Sequence, residues 1–562
     1  MSEPLENLLS QRILLLDGGM GTMIQSYKLE ETDFRGDRFA NHLLNLKGNN
    51  DLLSITQPSI IADIHKAFLD AGSDIIETNT FGSTFISQAD YELENIVYEL
   101  NYEASKIARK AADEQTRKTP TKPRLVAGAL GPTNKRATVS PDINDQGLRN
   151  INFDTLVTAY TEALHGLVEG GVDLLLVETI FDTLNSKAAI YAIQKYFDDN
   201  NIHLPVMISG TITDKLGRTL SKQVPEAFWN SVAHAQPISV GFNCALGADE
   251  LRQHIQTISA IVNVNVSVYP NAGHPDKFGK YDHTPQHMAT LLCEFAESGF
   301  VNIVGGCCGT TPDHIRAISN AVSNKTPRTL PKFSPYCRLS GLEPLKFSEN
   351  TGFVYVEEHI NTSASQEATK SIREEQFIEA RDKARTQIMG GAQIININLD
   401  DASIDEEASM IRFINLITAE TDISRVPVIL ESIKFSKIKA GLKCLQGKGV
   451  ANSISLKEGA DAFTANALET LRLGAAVVVL AFDENGEAKT YQCMISIFKR
   501  SYKILAETIG FAPEDIILDT NIFPIATISR KNKNLSNDSI YTIDKIKQTF
   551  PKVLVKYKKK IF

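Results

Sequence analysis

Short apolar runs rich in β-branched residues, each followed by a longer stretch with helical spacing, recur eight times before the middle of this chain, and few folds can absorb that rhythm. The runs are residues 13–16, 74–76, 125–127, 173–177, 205–208, 238–241, 264–268 and 301–304. Between them, stretches such as 61–69 and 156–164 carry apolar residues three and four positions apart, the spacing of a helix with one buried face. Strand and helix in strict alternation imply parallel strands joined by crossover helices, and eight repeats are enough to close a (β/α)8 barrel of the TIM type.

A barrel of this kind carries its chemistry on the loops that follow its strands. Here those positions read Asp17-Gly18-Gly19, Glu77-Thr-Asn-Thr, Gly131-Pro-Thr-Asn, Glu178-Thr179, Ser209-Gly-Thr, Asn243-Cys244, Asn271-Ala-Gly and Cys307-Cys308. Gly, Asn, Thr and Pro mark turns anywhere. They do not account for carboxylates and three thiols gathered at the same end. Cys244 and Cys307, 63 residues apart, would close strands six and eight of one barrel and face each other across its mouth. Three thiolates with a fourth position open suit Zn2+, which favours tetrahedral sulfur coordination and acidifies a bound thiol. Cys244, Cys307 and Cys308 are therefore the expected metal ligands and the centre of catalysis.

Asp17 and Glu178 could hold the ammonium of an amino-acid substrate, with Glu77 assisting, while Gly18 and Gly19 would let backbone amides reach its carboxylate. Asn243 is placed beside the substrate. Together with the thiols, these groups describe a site for a small amino acid that carries a thiol. Cys293, Cys337, Cys444 and Cys493 have no such setting and read as structural.

A polar stretch with prolines at 327, 331 and 335 then interrupts the pattern, as domain boundaries do. The sequence divides into residues 1–322, a linker at 323–340, and 341–562. In the last part the rhythm resumes at 353–356, 393–397, 426–430, 452–454, 476–480 and 516–518, with a seventh run at 553–555. Seven strands predict a second, incomplete barrel with open sheet edges. The polar stretch 529–539 reads as a mobile loop.

With 43% hydrophobic and 22% charged residues the composition is that of a globular protein. A net charge of -9 argues against nucleic-acid binding. The basic cluster Lys556-Tyr557-Lys558-Lys559-Lys560 reads as a solvated tail. No secretory signal and no apolar run long enough to span a membrane are visible. Seven scattered Cys favour reduced thiols and a cytoplasmic setting.

Several stretches resemble cobalamin-dependent methionine synthase. They are Asp17-Gly-Gly-Met-Gly-Thr, Lys47-Gly-Asn-Asn-Asp-Leu-Leu, Thr78-Asn-Thr-Phe, Leu130-Gly-Pro-Thr-Asn, Glu178-Thr-Ile-Phe-Asp-Thr-Leu-Asn, Gly241-Phe-Asn-Cys-Ala-Leu-Gly, Tyr269-Pro-Asn-Ala-Gly and Gly305-Gly-Cys-Cys-Gly-Thr-Thr-Pro. That family joins a homocysteine-binding zinc barrel to a methyltetrahydrofolate-binding barrel, followed by cobalamin-binding modules. The resemblance implies that the three Cys bind zinc, that Asp17 and Glu178 orient homocysteine, and that methylcobalamin gives up its methyl group to form methionine. The cobalamin modules have no counterpart here, so that cofactor is expected from another polypeptide or from sequence further downstream.

The second half resembles the folate module over Gly390-Gly-Ala-Gln-Ile-Ile, Asn452-Ser-Ile-Ser-Leu-Lys-Glu-Gly and Ala475-Ala-Val-Val-Val-Leu-Ala-Phe-Asp. By this likeness Asn361, Asn398, Glu431, Asn452, Asp519 and Asn521 are its folate-binding positions. The family's Ile-Asp-Ile-Asn stands here as Ile395-Asn-Ile-Asn, and its Ile-Asp-Ser-Ser as Leu430-Glu-Ser-Ile. A lost charge and a lengthened arm predict weakened folate binding. Two alternatives follow: a zinc homocysteine S-methyltransferase that uses a sulfonium or betaine donor, and a remnant that binds homocysteine and zinc without a productive donor.

Overall fold

The computed structural model describes residues 5–214, 216–277, 279–348, 354–361, 377–400, 406–520, 543–557 and 560–561, with backbone alone at 357–361, 406, 557 and 560. The chain forms two compact units. One comprises Met1–Arg136, Ile151–Trp229 and Ala235–Phe333, and the other Ala137–Asn150, Asn230–His234 and Ser334–Phe562.

All eight predicted runs of the first unit are strands: β1 (Leu14–Leu15), β2 (Ile75–Glu77), β3 (Leu125–Leu130), β4 (Leu174–Ile180), β5 (Val206–Gly210), β6 (Ser239–Gly247), β7 (Asn265–Asn271) and β8 (Ile303–Val304). They pair in the order β1-β8-β7-β6-β5-β4-β3-β2, and a parallel bridge between Leu16 and Ile75 joins the two ends. Helices cover the outside. The helix Pro58–Ala71 shows why: Pro58 starts it, Ile61, Ile64, Phe68 and Leu69 form one buried stripe, and Gly72 at φ +118° ends it.

The floor of this barrel is closed by the short helix Leu5–Gln11. Its Leu5, Leu8 and Leu9 pack against the inward residues Leu14, Leu16, Ile75, Ala127, Leu174, Leu176 and Met207. Alternate strand residues face inward, as the two-residue period of a strand requires. With one end plugged by leucine, only the opposite end can admit a ligand.

The second unit opens with a hairpin, β9 (Arg338–Ser340) and β10 (Pro344–Lys346), followed by β11 (Val354–Asn361), β12 (Ile394–Asn398), β13 (Val428–Glu431), β14 (Val450–Ile454) and β15 (Ala476–Leu480). A small hairpin, β16 (Phe482–Asp483) and β17 (Gly486–Glu487), precedes β18 (Ile516–Asp519), β19 (Leu554–Tyr557) and β20 (Lys560–Ile561). Leu339 and Phe347, in and after the first hairpin, pack with Cys337 onto inward residues of β11 to β15 and so plug this barrel too.

The expectation of open sheet edges is corrected here. Seven parallel strands are present, but β11-β12-β13-β14-β15-β18-β19-β20 form a closed barrel. The two-residue strand β20 runs antiparallel between β19 and β11, placing Ile561 opposite Lys556 on one side and Val354 on the other. Two residues are too few to show a period, and the lysines around them disguised the strand as a solvated tail. Lys556 belongs to a strand and pairs with Asp519 at 3.1 Å. The stretch 529–539 lies outside the described residues. Among those described, no helix is long and apolar enough to cross a membrane.

Ile561 is fully buried, so Ile561→Ala should lower the unfolding free energy of the second barrel by about 2–5 kcal/mol. Urea denaturation followed by circular dichroism measures this, and an unchanged midpoint would show that β20 does not hold the ring closed.

Candidate active site

The thiols are brought together by three local devices. On β6, the register with β7 shifts between Asn243 and Gly247, and Cys244 and Ala245 take the left-handed conformation at φ +58° and +56°. A bulge of this kind re-aims a side chain at a strand end, and non-glycine residues held there store strain of a sort that concentrates at functional sites. β4 is treated alike: its register with β5 shifts between Val177 and Ile180, and Thr179, next to Glu178, has φ +52°.

Beyond β8, the chain continues the sheet through Gly305 N–H to Val268 O (3.0 Å), Gly306 N–H to Asp17 O (3.1 Å) and Cys307 N–H to Pro270 O (2.9 Å). It then turns. Thr310 Oγ1 donates to Cys307 O at 2.6 Å, and Ala272 N–H donates to Cys308 O at 2.9 Å. Gly309, at φ +79°, is required, because a Cβ would run into the ring of Tyr281.

The result is a compact sulfur cluster. The Sγ atoms of Cys244, Cys307 and Cys308 lie within 4.8 Å of one another, with Cys244 and Cys308 3.8 Å apart. Sulfurs bound tetrahedrally to zinc at about 2.3 Å lie roughly 3.8 Å apart, so the donor set and its spacing fit that ion. Hydrogen bonds from Cys244 and Cys307 hold the Cys308 thiol down to about 3. Cys307 is pushed well up by the same contacts. The cluster therefore gives up one proton readily and keeps the others, the condition of a thiol set that exchanges protons for a metal.

Beside it lie three carboxylates. Asp17 Oδ2 accepts from Glu77 N–H at 3.0 Å. Burial raises Asp17 well above the ordinary range, with the Glu178 charge adding to it. Glu77 is likewise raised by burial and then by Glu178 and Asp17. Glu178 is raised, chiefly by burial, to about 8. These groups, with Gly18, Gly19 and the three Cys, line a cavity of about 510 Å3. No Lys, Arg or His is among the described residues that line it.

Two nominated residues behave differently from expectation. Asn243 is fully buried: its Oδ1 accepts from Ser209 Oγ (2.7 Å) and its Nδ2 donates to Thr179 Oγ1 (2.8 Å) and Cys307 Sγ (3.9 Å). It braces a thiol and does not line the cavity. The amide of Gly19 is committed to Thr310 Oγ1 at 3.0 Å, which removes it as a receptor for a substrate carboxylate. The glycine itself is needed, since a Cβ there would lie 2.7 Å from Cys307 O. Reasoning from sequence passed over Tyr269, Tyr281 and Asp51, all of which line the cavity. A single aromatic on a strand or loop, or an acid in a helical turn, gives no signal until its neighbours are known.

In the second barrel, register places Asn361, Asn398, Glu431 and Asn452 side by side at the strand ends. Asp519 lies at the end of β18 and is paired with Lys556. Glu431 reaches back to accept from Asn396 Nδ2 at 2.5 Å. Asn398 Oδ1 accepts from Asp400 N–H at 2.9 Å, and Asp400 in turn receives the Lys437 ammonium at 2.6 Å. The side chain of Asn361 and the whole of Asn521 lie outside the described residues.

The first unit is thus an α/β barrel of parallel strands with three thiols and three acids gathered at its open end. Residues 14–322 match the family model described as homocysteine S-methyltransferase, and residues 358–558 the one described as pterin binding enzyme. The first match spans more than half of the chain, which belongs to the homocysteine S-methyltransferase family and adds a pterin-binding domain. Among solved structures, the metallated form of the homocysteine methyltransferase MmuM from Escherichia coli is 23% identical, with 57% of this chain and 99% of that chain covered and a TM-score of 0.44. Its oxidized form is 21% identical over the same shares, with a TM-score of 0.45.

The raised carboxylates have a consequence for stability. A group whose folded pKa lies above its unfolded value binds more protons when folded, so stability falls as pH rises between the two. For Glu178 that window runs from 4.5 to about 8. His65, buried and held down to about 4 from 6.5, acts in the opposite sense only below 6.5. Cys308, held down to about 3 from 9.0, acts in the opposite sense throughout, so from pH 6.5 to 8 Glu178 contributes to ligand-free protein a downward slope of up to about 1.4 kcal/mol per pH unit against that rise. Glu178→Gln should remove that contribution from thermal melts across the range; an unaltered slope would show that Glu178 is already ionised.

Proposed function

We propose that this chain is the homocysteine- and folate-handling part of a cobalamin-dependent methionine synthase, acting in the cytoplasm. In this reading residues 1–322 bind homocysteine, 323–340 form a linker, and 341–562 bind methyltetrahydrofolate. The observation that carries it is the gathering of three thiols within 4.8 Å of one another beside carboxylates, with no basic side chain among the described lining residues.

Zn2+ held by Cys244, Cys307 and Cys308, with a fourth position free, would lower the pKa of a substrate thiol from about 8.5 and keep it a thiolate at neutral pH. The chain's own groups do the rest of the work. Asp17 and Glu178 accept the ammonium of homocysteine and thereby aim its thiol at the cysteines. Asn243 and Thr310 fix the two cysteine-bearing turns, so little rearrangement is left for the reaction itself. Methylcobalamin, from another polypeptide or from sequence beyond this chain, would supply the methyl group to the thiolate, its cobalt keeping the electron pair of the broken Co–C bond, and the product would be methionine. In the second barrel Asn361, Asn398, Glu431, Asn452, Asp519 and Asn521 would hold the methyltetrahydrofolate that regenerates the donor.

A second reading rests on the Asn396–Glu431 bond, which engages the carboxylate nominated for folate, and on a first cavity with no cationic side chain among its described lining residues, which suits a positively charged donor. In it the chain methylates homocysteine from a sulfonium or a betaine, without folate. A chain that held zinc and homocysteine but used none of these donors would be a binding remnant.

Methionine formation from homocysteine should be detected with free methylcobalamin, and Cys308→Ser should reduce both zinc content and rate by about 100-fold or more. Transfer from S-methylmethionine or glycine betaine but not from methylcobalamin would favour the second reading. Wild-type protein that takes up no zinc would sink both.

A further inference from the structure

Two stretches of the first barrel, Lys47-Gly-Asn-Asn-Asp-Leu-Leu and Thr78-Asn-Thr-Phe, stand out in the sequence but carry no assigned task. In the structure they interlock. Residues Thr78 to Gly82 follow β2 and line the first cavity together with Gly48, Asn50 and Asp51. Asn79 Nδ2 donates to Asn50 O at 2.8 Å and to Ser54 Oγ at 3.1 Å. Gly82 N–H donates to Asp51 Oδ2 at 3.1 Å, and Gly82 O accepts from Gln88 Nε2 at 3.1 Å. Gln88 is itself held by Asn49 through a reciprocal pair of amide bonds at 2.7 and 3.3 Å. Farther along, Asn101 Nδ2 reaches Ser83 O at 2.8 Å.

Asn49, Asp51, Asn79, Gln88 and Asn101 are all buried. Burying polar side chains is costly unless each finds its partner, and a network in which they do fixes one geometry of the chain that it holds. The chain held here is the loop that bears Phe81. That ring is 48% exposed although it lines the cavity, and a Cβ on Gly131 would strike the Phe81 backbone oxygen. The loop is therefore fastened on both sides of a large apolar side chain that is not itself packed into the core.

We infer that Asp51 is a positioning residue, which with Asn49, Asn79 and Gln88 clamps the loop 78–84 so that Phe81 stands as a fixed wall between the sulfur cluster and bulk water during methyl transfer. A thiolate shielded from water reacts faster than a solvated one, and a wall that sways admits water. The clamp acts on the rate of transfer more than on the affinity for the thiol. This inference rests on the proposed methylation of homocysteine in the first barrel.

Asp51→Ala removes the acceptor of the Gly82 N–H, whereas Asp51→Asn keeps one of the same shape. Burial raises Asp51 to about 7, so at neutral pH a neutral amide is a fair substitute for it. Hydrogen exchange read by mass spectrometry on the zinc-loaded full chain should show residues 78–84 exchanging about tenfold faster or more in Asp51→Ala, and as wild type in Asp51→Asn. Methyl transfer to homocysteine is measured with methylcobalamin, S-methylmethionine and glycine betaine. With the donor that wild type uses, kcat should fall about tenfold or more in Asp51→Ala and largely recover in Asp51→Asn. Zinc content and the calorimetric affinity for homocysteine should stay within about threefold of wild type in both. Phe81→Ala should lose a similar rate while the Gly82 amide stays protected. Unaltered exchange in Asp51→Ala, or a rate loss matched by an equal loss of homocysteine affinity, would overturn the clamp and leave the proposed function standing. Equal rate losses in Asp51→Ala and Asp51→Asn would also overturn it, since the charge and not the hydrogen bond would then matter. Wild type that uses none of the three donors would overturn the proposed function and the clamp's part in it, while exchange still decides whether Asp51 pins the loop.

Discussion

The main-chain hydrogen bonds that close the first barrel between β8 and β1 are the constraint on which the site depends. Leu14 and Leu16 donate to Asn302 O and Val304 O at 2.9 and 2.8 Å, and Gly306 donates back to Asp17 O at 3.1 Å. Side chains extend the seam, because Gly19 N–H reaches Thr310 Oγ1, 291 residues away in sequence. This closure sets the first carboxylate beside the thiol turn. Without it the cysteines of β8 and the acid of β1 would belong to opposite ends of the unit's sequence and share no chemistry.

Closure also fixes the electrostatics. A cavity lined by Asp17, Asp51, Glu77, Glu178 and three thiols, with no basic side chain among its described lining residues, is destabilising when empty, since buried charge without a partner is costly. The barrel tolerates this because its apolar floor and covering helices supply stability elsewhere. The pocket is thus a strained, acid-rich site on a well-packed frame, its carboxylates raised above their ordinary range by burial and, for Asp17 and Glu77, by one another and Glu178.

The second barrel shows the opposite arrangement. Its acids are matched internally: Asp519 with Lys556, Asp400 with the buried Lys437, and Glu431 with the amide of Asn396. Its rim of Asn398, Glu431 and Asn452 is therefore a set of oriented amides and satisfied carboxylates. Such a rim presents oriented amides around the Glu431 carboxylate, while Asp519 and Asp400 are each paired with a lysine.

Much of this was legible in the order of residues. The eight apolar runs became eight strands because a parallel sheet buried on both faces leaves a continuous apolar mark. The polar clusters after them held the chemistry because one end of the barrel is sealed with leucine. Other features were hidden. The strand Lys560–Ile561 is shorter than any period, the bracing role of Asn243 depends on Ser209 and Thr179 from neighbouring strands, and Tyr269 looks like core until its hydroxyl is seen to lack a partner. Sequence alone determined the barrel rhythm, the three thiols and the acids at strand ends, because these follow from local periodicity and residue chemistry. Only the tertiary structure decided which thiols meet, which amides are already spent and which acids stay unpaired, because those depend on hydrogen bonds between strands tens to hundreds of residues apart.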